Sequence, residues 1–313
     1  MSSLWVFPGQ GAQQPGLLRQ LPDEPQVREC LAEASAALGE DVRRLDSAEA
    51  LASTRAVQLC LLIAGVACAR LLQARECPVD YLAGLSVGAY PAAVIAGGLA
   101  FDDALRLVAL RGQLMQDAYP EGYGMTAIVG LAQASVEALI GEVHSEATPV
   151  YLANLNADTQ FVIAGSLAAM ASVARRAKAG GAAAARRLAV SVPSHCALLE
   201  RPAQQLAAAM AQVTFRAPTL RYLSGTTARP ILGADALRDD LTFNMCRPID
   251  WRDTLQTAFE RGARLHIELP PGSVLTGLAR SLFEPGMAVA FQGARLDSLV
   301  ALSRREACHG RQG

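Results

Sequence analysis

Two spacings of apolar residues alternate along the chain. The run Leu4-Trp5-Val6-Phe7 stops at Pro8-Gly9-Gln10-Gly11, as a short buried strand does when it enters a turn. Helical periods follow over 24–38 and 56–74, and the second holds an unbroken apolar run of 11 residues from Leu59 to Ala69. Val79 to Ala83 predicts a second strand, and Gly84-Leu85-Ser86-Val87-Gly88 carries it into an Ala-rich helix that ends near Gly97-Gly98. Asp102 or Asp103 stands where it could cap the next helix, which runs to about Tyr119 before Pro120 and Gly122 break it.

From Met125 the pattern changes to strand 125–131, helix 133–146, strands 150–156 and 160–165, helix 167–180 and strand 185–192. This β-α-β-β-α-β order is that of the ferredoxin-like split βαβ unit. It predicts a small domain, 124–192, inserted in a larger one made of 1–123 and 193–303. Helices at 197–212, 250–262 and 273–283 and a strand at Leu265–Leu269 return the chain to the larger unit. Strands alternating with helices predict an α/β fold with a parallel sheet covered on both faces. The tail 304–313 is polar and expected to fray.

Composition narrows the function classes. Of 313 residues 51% are hydrophobic, enough for a large core, and 28 basic against 29 acidic side chains leave no broad basic field for nucleic acid. The 11-residue apolar run is about half of what a bilayer-spanning helix needs and reads as a buried helix. No basic residue precedes Arg19, unlike a signal peptide, so the cytoplasm is the expected compartment, with no membrane partner. Seven cysteines with no Cys-x-x-Cys read as reduced, mostly buried thiols rather than disulfides or a metal site.

Three residues carry candidate chemistry. Gly84-x-Ser86-x-Gly88, between a predicted strand and helix, has the form of a nucleophile elbow, although an ordinary Gly-rich strand-to-helix loop has the same spelling. A serine nucleophile needs a base. Of His144, His195, His266 and His309, only His195 falls where the predicted small domain hands the chain back to the large one; a hydrogen-bonded loop histidine is the alternative. Arg111 shares a helical stripe with Leu107 and Leu114, so its guanidinium needs an anion, either an internal carboxylate or a substrate's, gripped by two parallel hydrogen bonds. No acidic residue stands out as a third triad member; Asp250 and Glu268 are weak candidates.

Taken with Phe7 to Gly11, Arg111-Gly112-Gln113-Leu114-Met115-Gln116, Asn156 to Gly165, Val190 to Cys196 and Pro271 to Leu278, these segments resemble the malonyl-CoA:acyl-carrier-protein transacylase family, in the same order across nearly the whole chain. The resemblance implies an α/β-hydrolase-like large domain, a ferredoxin-like insert and an active site between them. It makes Ser86 the acylated nucleophile, His195 its general base and acid, the backbone N–H groups of Gln10 and Val87 the oxyanion hole, and Arg111 the holder of the malonyl carboxylate. Asn156 falls at a site-lining position, and Asn244 at the position whose backbone carbonyl orients the histidine. Malonyl-CoA is the implied donor and an acyl carrier protein the acceptor, with no metal or bound cofactor. Basic pairs such as Arg175/Arg176 or Arg186/Arg187 would meet the carrier. Family members commonly read Gly-His-Ser-x-Gly-Glu, whereas this elbow has Leu85 and Ala89. In that respect it resembles the epsilon subunit of malonate decarboxylase, which implies a decarboxylase carrier with a dephospho-CoA-derived thiol. Alternatives are the fatty-acid-synthesis transacylase and, in another class, a serine thioesterase or hydrolase.

Overall fold

A computed structural model describes residues 2–284 and 286–309. The first strand, β1 (Ser2–Phe7), is fully buried from Ser3 onward because it lies mid-sheet. Helices α1 (Pro25–Leu38) and α2 (Thr54–Ala74) follow, then β2 (Tyr81–Gly84), a 3₁₀ turn at Ser86–Gly88, α3 (Ala89–Ile95) and α4 (Phe101–Ala118). Next come β3 (Tyr123–Val129), α5 (Gln133–Val143), β4 (Val150–Ala157), β5 (Gln160–Ser166), α6 (Leu167–Ala179) and β6 (Ala184–Arg187). The remainder is α7 (Glu200–Met210), β7 (Arg221–Leu223), β8 (Pro230–Ile231), α8 (Ala234–Phe243), β9 (Ile249–Asp250), α9 (Trp251–Glu260), β10 (Ala263–Glu268), α10 (Val274–Ala279), β11 (Met287–Ala290) and α11 (Leu296–His309).

The result is an α/β fold with a large helix-and-sheet part and a smaller β-rich part. Six strands form the larger sheet in the order β11-β10-β1-β2-β7-β8, parallel except for β8, which runs antiparallel to β7. Five form the smaller in the order β6-β3-β5-β4-β9. Its first four strands are antiparallel, and β9, far along the chain, adds in parallel against Asn154 and Leu155 of β4. That crossing ties the smaller sheet to the late segment, which the hydropathy pattern does not reveal. One face of the smaller sheet packs Ile128, Phe161 and Ile163 on Met170 and Val173 of α6. Its other face turns Ala127, Val162 and Asn154 to a cavity.

Several local expectations are corrected. Asp102 and Asp103 do not cap α4: the cap position is Ala100, and both carboxylates pair with Arg106 in the first turn. The strand expected over 185–192 ends at Arg187: Leu188 still donates to the Met125 carbonyl of β3 at 2.9 Å, but Ala189 and Val190 make no further ladder pairs and line the cavity. The tail does not fray from 304; α11 continues through 309, with Arg304 donating to the Arg75 carbonyl, while 310–313 lie outside the described residues. Helix α2 is the one described helix long and apolar enough to cross a membrane, and 89% of its apolar window is buried inside the protein.

Strand β10 carries a residue that the fold tolerates at a penalty. His266 is fully buried, sits edge-on to Phe283 with ring centroids 5.4 Å apart, and has no hydrogen-bond partner for either ring nitrogen. Burial pushes its pKa down to about 3. Its folded value lies below the unfolded value of about 6.5, so the unfolded chain binds a proton that the folded one refuses, and stability declines as pH falls through that interval. His266→Leu should stabilise the protein by about 1–2 kcal/mol at pH 7 by removing two unpaired polar atoms. It should also remove about 1.4 kcal/mol per pH unit from the stability slope between roughly pH 6 and 4. Urea unfolding at pH 7 and 5 measures both; an unchanged slope would mean that the imidazole is hydrated.

Candidate active site

The elbow is tight because two glycines are sterically required. A Cβ on Gly84 would lie 2.0 Å from the Gly88 carbonyl carbon, and one on Gly88 would lie 2.1 Å from the Phe7 carbonyl oxygen. With both side chains absent, β2 turns into its helix against the end of β1, leaving Ser86 at φ +58°, a left-handed conformation that L residues rarely adopt. Ser86 stands at the wall of a cavity of about 250 Å³, shared with Pro8 to Ala12, Asn154, Asn156, Gln160, Ser194, His195 and the start of α10.

Arg111 is completely buried on α4. Its Nη2 donates to Ser86 Oγ at 3.2 Å and to Asn244 Oδ1 at 3.2 Å, and its Nη1 donates to Gln58 Oε1 at 2.7 Å. The guanidinium carbon lies 5.9 Å from the Tyr90 ring centroid. Among the described residues no carboxylate pairs with it, so the internal ion pair left open by the sequence is not formed. Burial lowers its pKa from the ordinary arginine value, yet a guanidinium stays charged at neutral pH. A buried cation surrounded only by neutral dipoles is a receptor for an anion.

His195, 2% exposed, shares that cavity wall and also has a positive φ, +63°. Its backbone N–H donates to the Met245 carbonyl at 2.7 Å, and its Nδ1 lies 2.6 Å from the Asn244 carbonyl oxygen. That contact requires the proton on Nδ1, which leaves Nε2 free to act as a base. Burial, aided by the Arg111 charge, pushes its pKa down to about 4. The imidazole is therefore neutral at pH 7. With acetyl-CoA as donor, which has no titrating carboxylate, the acid limb of kcat/KM should fall near pH 4–5 rather than at about 6.5; a limb at 6.5 would show a solvated histidine.

Asn244 does more than the backbone role expected of it, because its side chain accepts from Arg111 and donates through Nδ2 to the Ser86 carbonyl at 3.3 Å. Gln10 lines the cavity and Val87 is buried behind the serine. Among the described residues neither backbone amide donates to a loop carbonyl or a side chain. Asn156 lines the cavity with an unpartnered Oδ1, as does Asn154. The two weak triad candidates are helix caps: Glu268 accepts from the Leu275 and Thr276 amides at 3.1 and 2.6 Å, and Asp250 from the Asp253 amide at 3.0 Å. Sequence reasoning missed Gln58, a buried polar residue on an otherwise apolar stretch of α2, and that mismatch was itself the available signal. No group of three or more His, Cys, Asp or Glu among the described residues is placed to hold a metal.

Residues 4–296 match the acyl transferase domain family. The chain is 41% identical over 287 residues to the malonyl CoA-acyl carrier protein transacylase of Escherichia coli K12, covering 90% of this chain and 92% of that protein. It is 30% identical over 283 residues to that of Bacillus subtilis strain 168, covering 89% of each. The crystal structure of FabD from Acinetobacter baumannii superposes with a TM-score of 0.91 at 36% identity, covering 97% of this chain and 99% of that one. A malonyl-transacylase solved with its type II polyketide acyl carrier protein matches at 0.91 and 37%, covering 97% and 100%. These relatives do not tie the chain to malonate decarboxylase, as the Leu85 and Ala89 elbow had suggested. With an elbow serine, a carbonyl-held histidine and an unpaired buried arginine already in one place, the chain belongs to the malonyl-CoA:acyl-carrier-protein transacylase family of acyl transferase domains.

Proposed function

We propose that this protein moves a malonyl group from malonyl-CoA to the prosthetic thiol of an acyl carrier protein, through an ester on Ser86. The observation that carries this reading is the contact between Arg111 and Ser86 Oγ: a permanent buried cation with no internal anion touches the candidate nucleophile. A malonyl carboxylate entering the cavity takes the guanidinium's donors and leaves its thioester carbonyl beside the serine. His195 Nε2 accepts the Ser86 hydroxyl proton as Oγ attacks; the amides of Gln10 and Val87 receive the oxyanion; coenzyme A departs with the proton returned by His195. The carrier thiol then reverses these steps. Asn156, which lines the same cavity with an unpartnered Oδ1, is assigned to the arm of the incoming thioester. This reading calls on malonyl-CoA as donor with no resident metal or cofactor, and assigns the protein to the cytoplasm.

The same reading divides the chain into an α/β-hydrolase-like unit (1–123 and 193–303) and a ferredoxin-like unit (124–192), supported by the parallel larger sheet and by the β6-β3-β5-β4 order. Intact mass after incubation with malonyl-CoA tests the function. A malonyl adduct on Ser86 that a carrier thiol discharges faster than water supports the transferase; faster discharge by water makes the protein a hydrolase, and no adduct ends both readings.

The acceptor is an acyl carrier protein of the fatty-acid or polyketide type, as the relatives' names suggest. The Leu85 and Ala89 elbow favours a second acceptor, the malonate decarboxylase carrier, and comparing discharge by the two carriers separates them. Of the basic pairs, Arg186 is the better placed. It is exposed on edge strand β6 opposite Ala127, a cavity-lining residue, whereas Arg176 on the far-side helix α6 is paired with Glu142. Arg186→Glu should raise the KM for an acidic carrier roughly 5- to 10-fold; an unchanged KM would place the carrier elsewhere.

A further inference from the structure

We propose that Gln58 is the positioning residue that aims the Arg111 guanidinium and leaves its charge free for the substrate, while tying it to the loop that carries Gln10. This rests on the proposed malonyl transfer and adds the device by which the site selects an acyl group bearing a carboxylate. Gln58 is completely buried on α2, immediately before the apolar run from Leu59. All its polar capacity is directed inward: Oε1 accepts from Arg111 Nη1 at 2.7 Å, and Nε2 donates to Gln10 Oε1 at 3.1 Å and approaches Met115 Sδ at 3.3 Å.

An amide is suited to this place for an electrostatic reason. It accepts from a guanidinium and donates to a second side chain simultaneously without bringing charge. A carboxylate of the same length would hold the guanidinium equally well but neutralise it, and the site would then have little net attraction for a malonyl carboxylate. An apolar side chain would leave Nη1 without an acceptor and the guanidinium held through Nη2 alone. The other groups in direct contact with Arg111, namely Asn244, Ser86 and the Tyr90 ring, are likewise uncharged. Because Gln58 also holds Gln10, it couples the place where the carboxylate binds to the loop beside the thioester.

The test compares malonyl-CoA and acetyl-CoA as donors for wild type and Gln58→Glu, with carrier saturating. In the variant, kcat/KM for malonyl-CoA should fall about 100-fold, mainly through KM, while that for acetyl-CoA should fall by no more than about 10-fold, the part owed to the lost donation to Gln10, so that the malonyl-to-acetyl ratio drops at least about 10-fold. The acid limb of acetyl transfer should also move upward in pH, since the new carboxylate offsets the Arg111 charge acting on His195. If Gln58→Glu keeps the wild-type malonyl-to-acetyl ratio, Gln58 only packs and the proposal is wrong. If circular dichroism shows that Gln58→Glu does not fold, Gln58→Met decides: it should lower the malonyl-to-acetyl ratio about 10-fold, and an unchanged ratio overturns the proposal. The Ser86 adduct of the wild type separates the two layers. Its absence removes the malonyl-transfer reading, and its presence with an unchanged variant ratio removes this one alone.

Discussion

Ser86→Ala is expected to abolish the malonyl-enzyme adduct and to lower carrier malonylation by roughly 10³- to 10⁶-fold, the range seen when a nucleophile acting in a unit with its base is removed. Alanine keeps the Cβ, so the elbow at φ +58° carries the same strain and the loss reports the hydroxyl alone. The contact with Arg111 Nη2 is lost as well, but that guanidinium retains Gln58 and Asn244. Single-turnover assays with labelled malonyl-CoA, read against the thermal midpoint, provide the measurement; residual transfer within 10-fold of wild type would transfer the nucleophile's role to another residue. Ser86→Gly offers a second reading, equally inactive yet more stable by about 1 kcal/mol, because glycine adopts a positive φ without the steric penalty.

Arg111→Ala should reduce kcat/KM for malonyl-CoA about 10²- to 10³-fold and that for acetyl-CoA far less. Truncating one member of a buried, charge-assisted pair is worth roughly 2–5 kcal/mol, and only the malonyl group supplies the other member. The three acceptors now bonded to this guanidinium are neutral, so their loss does not strand a charge, and the fold should survive. Arg111→Lys should recover only part of the malonyl activity, since an ammonium lacks the fork that meets both carboxylate oxygens. The donor-specificity ratio checks this directly. Equal losses with both donors would mean that the arginine merely organises the cavity.

Much of the site is legible in the sequence. The elbow glycines, Ser86 between a strand and a helix, His195 at a junction and Arg111 on an apolar stripe are local signals, because each is a conflict between residue type and the neighbouring pattern. Gln58 sent the same kind of signal, a polar side chain leading into an apolar run, and was passed over because it has no chemistry by itself. Asn244 was read only as main chain. Its side-chain contacts with Arg111 and the Ser86 carbonyl join residues 133 and 158 positions apart, and local spacing says nothing about such pairs. The short strands β7, β8 and β9 were missed because two or three residues have no readable period; pairing with neighbours already in a sheet makes them strands.

The amino-acid order alone determined which segments bury themselves as strand or helix, and which residues sit at odds with that burial, because hydropathy period and glycine sterics act over a few residues. Tertiary structure decided what those residues meet. Whether Arg111 faces an acid or a neutral ring of acceptors, and whether Glu268 is a catalyst or a helix cap, depends on side chains brought together across the chain. In a low-dielectric interior, that choice of neighbour sets both the charge available to a ligand and the protonation state of His195.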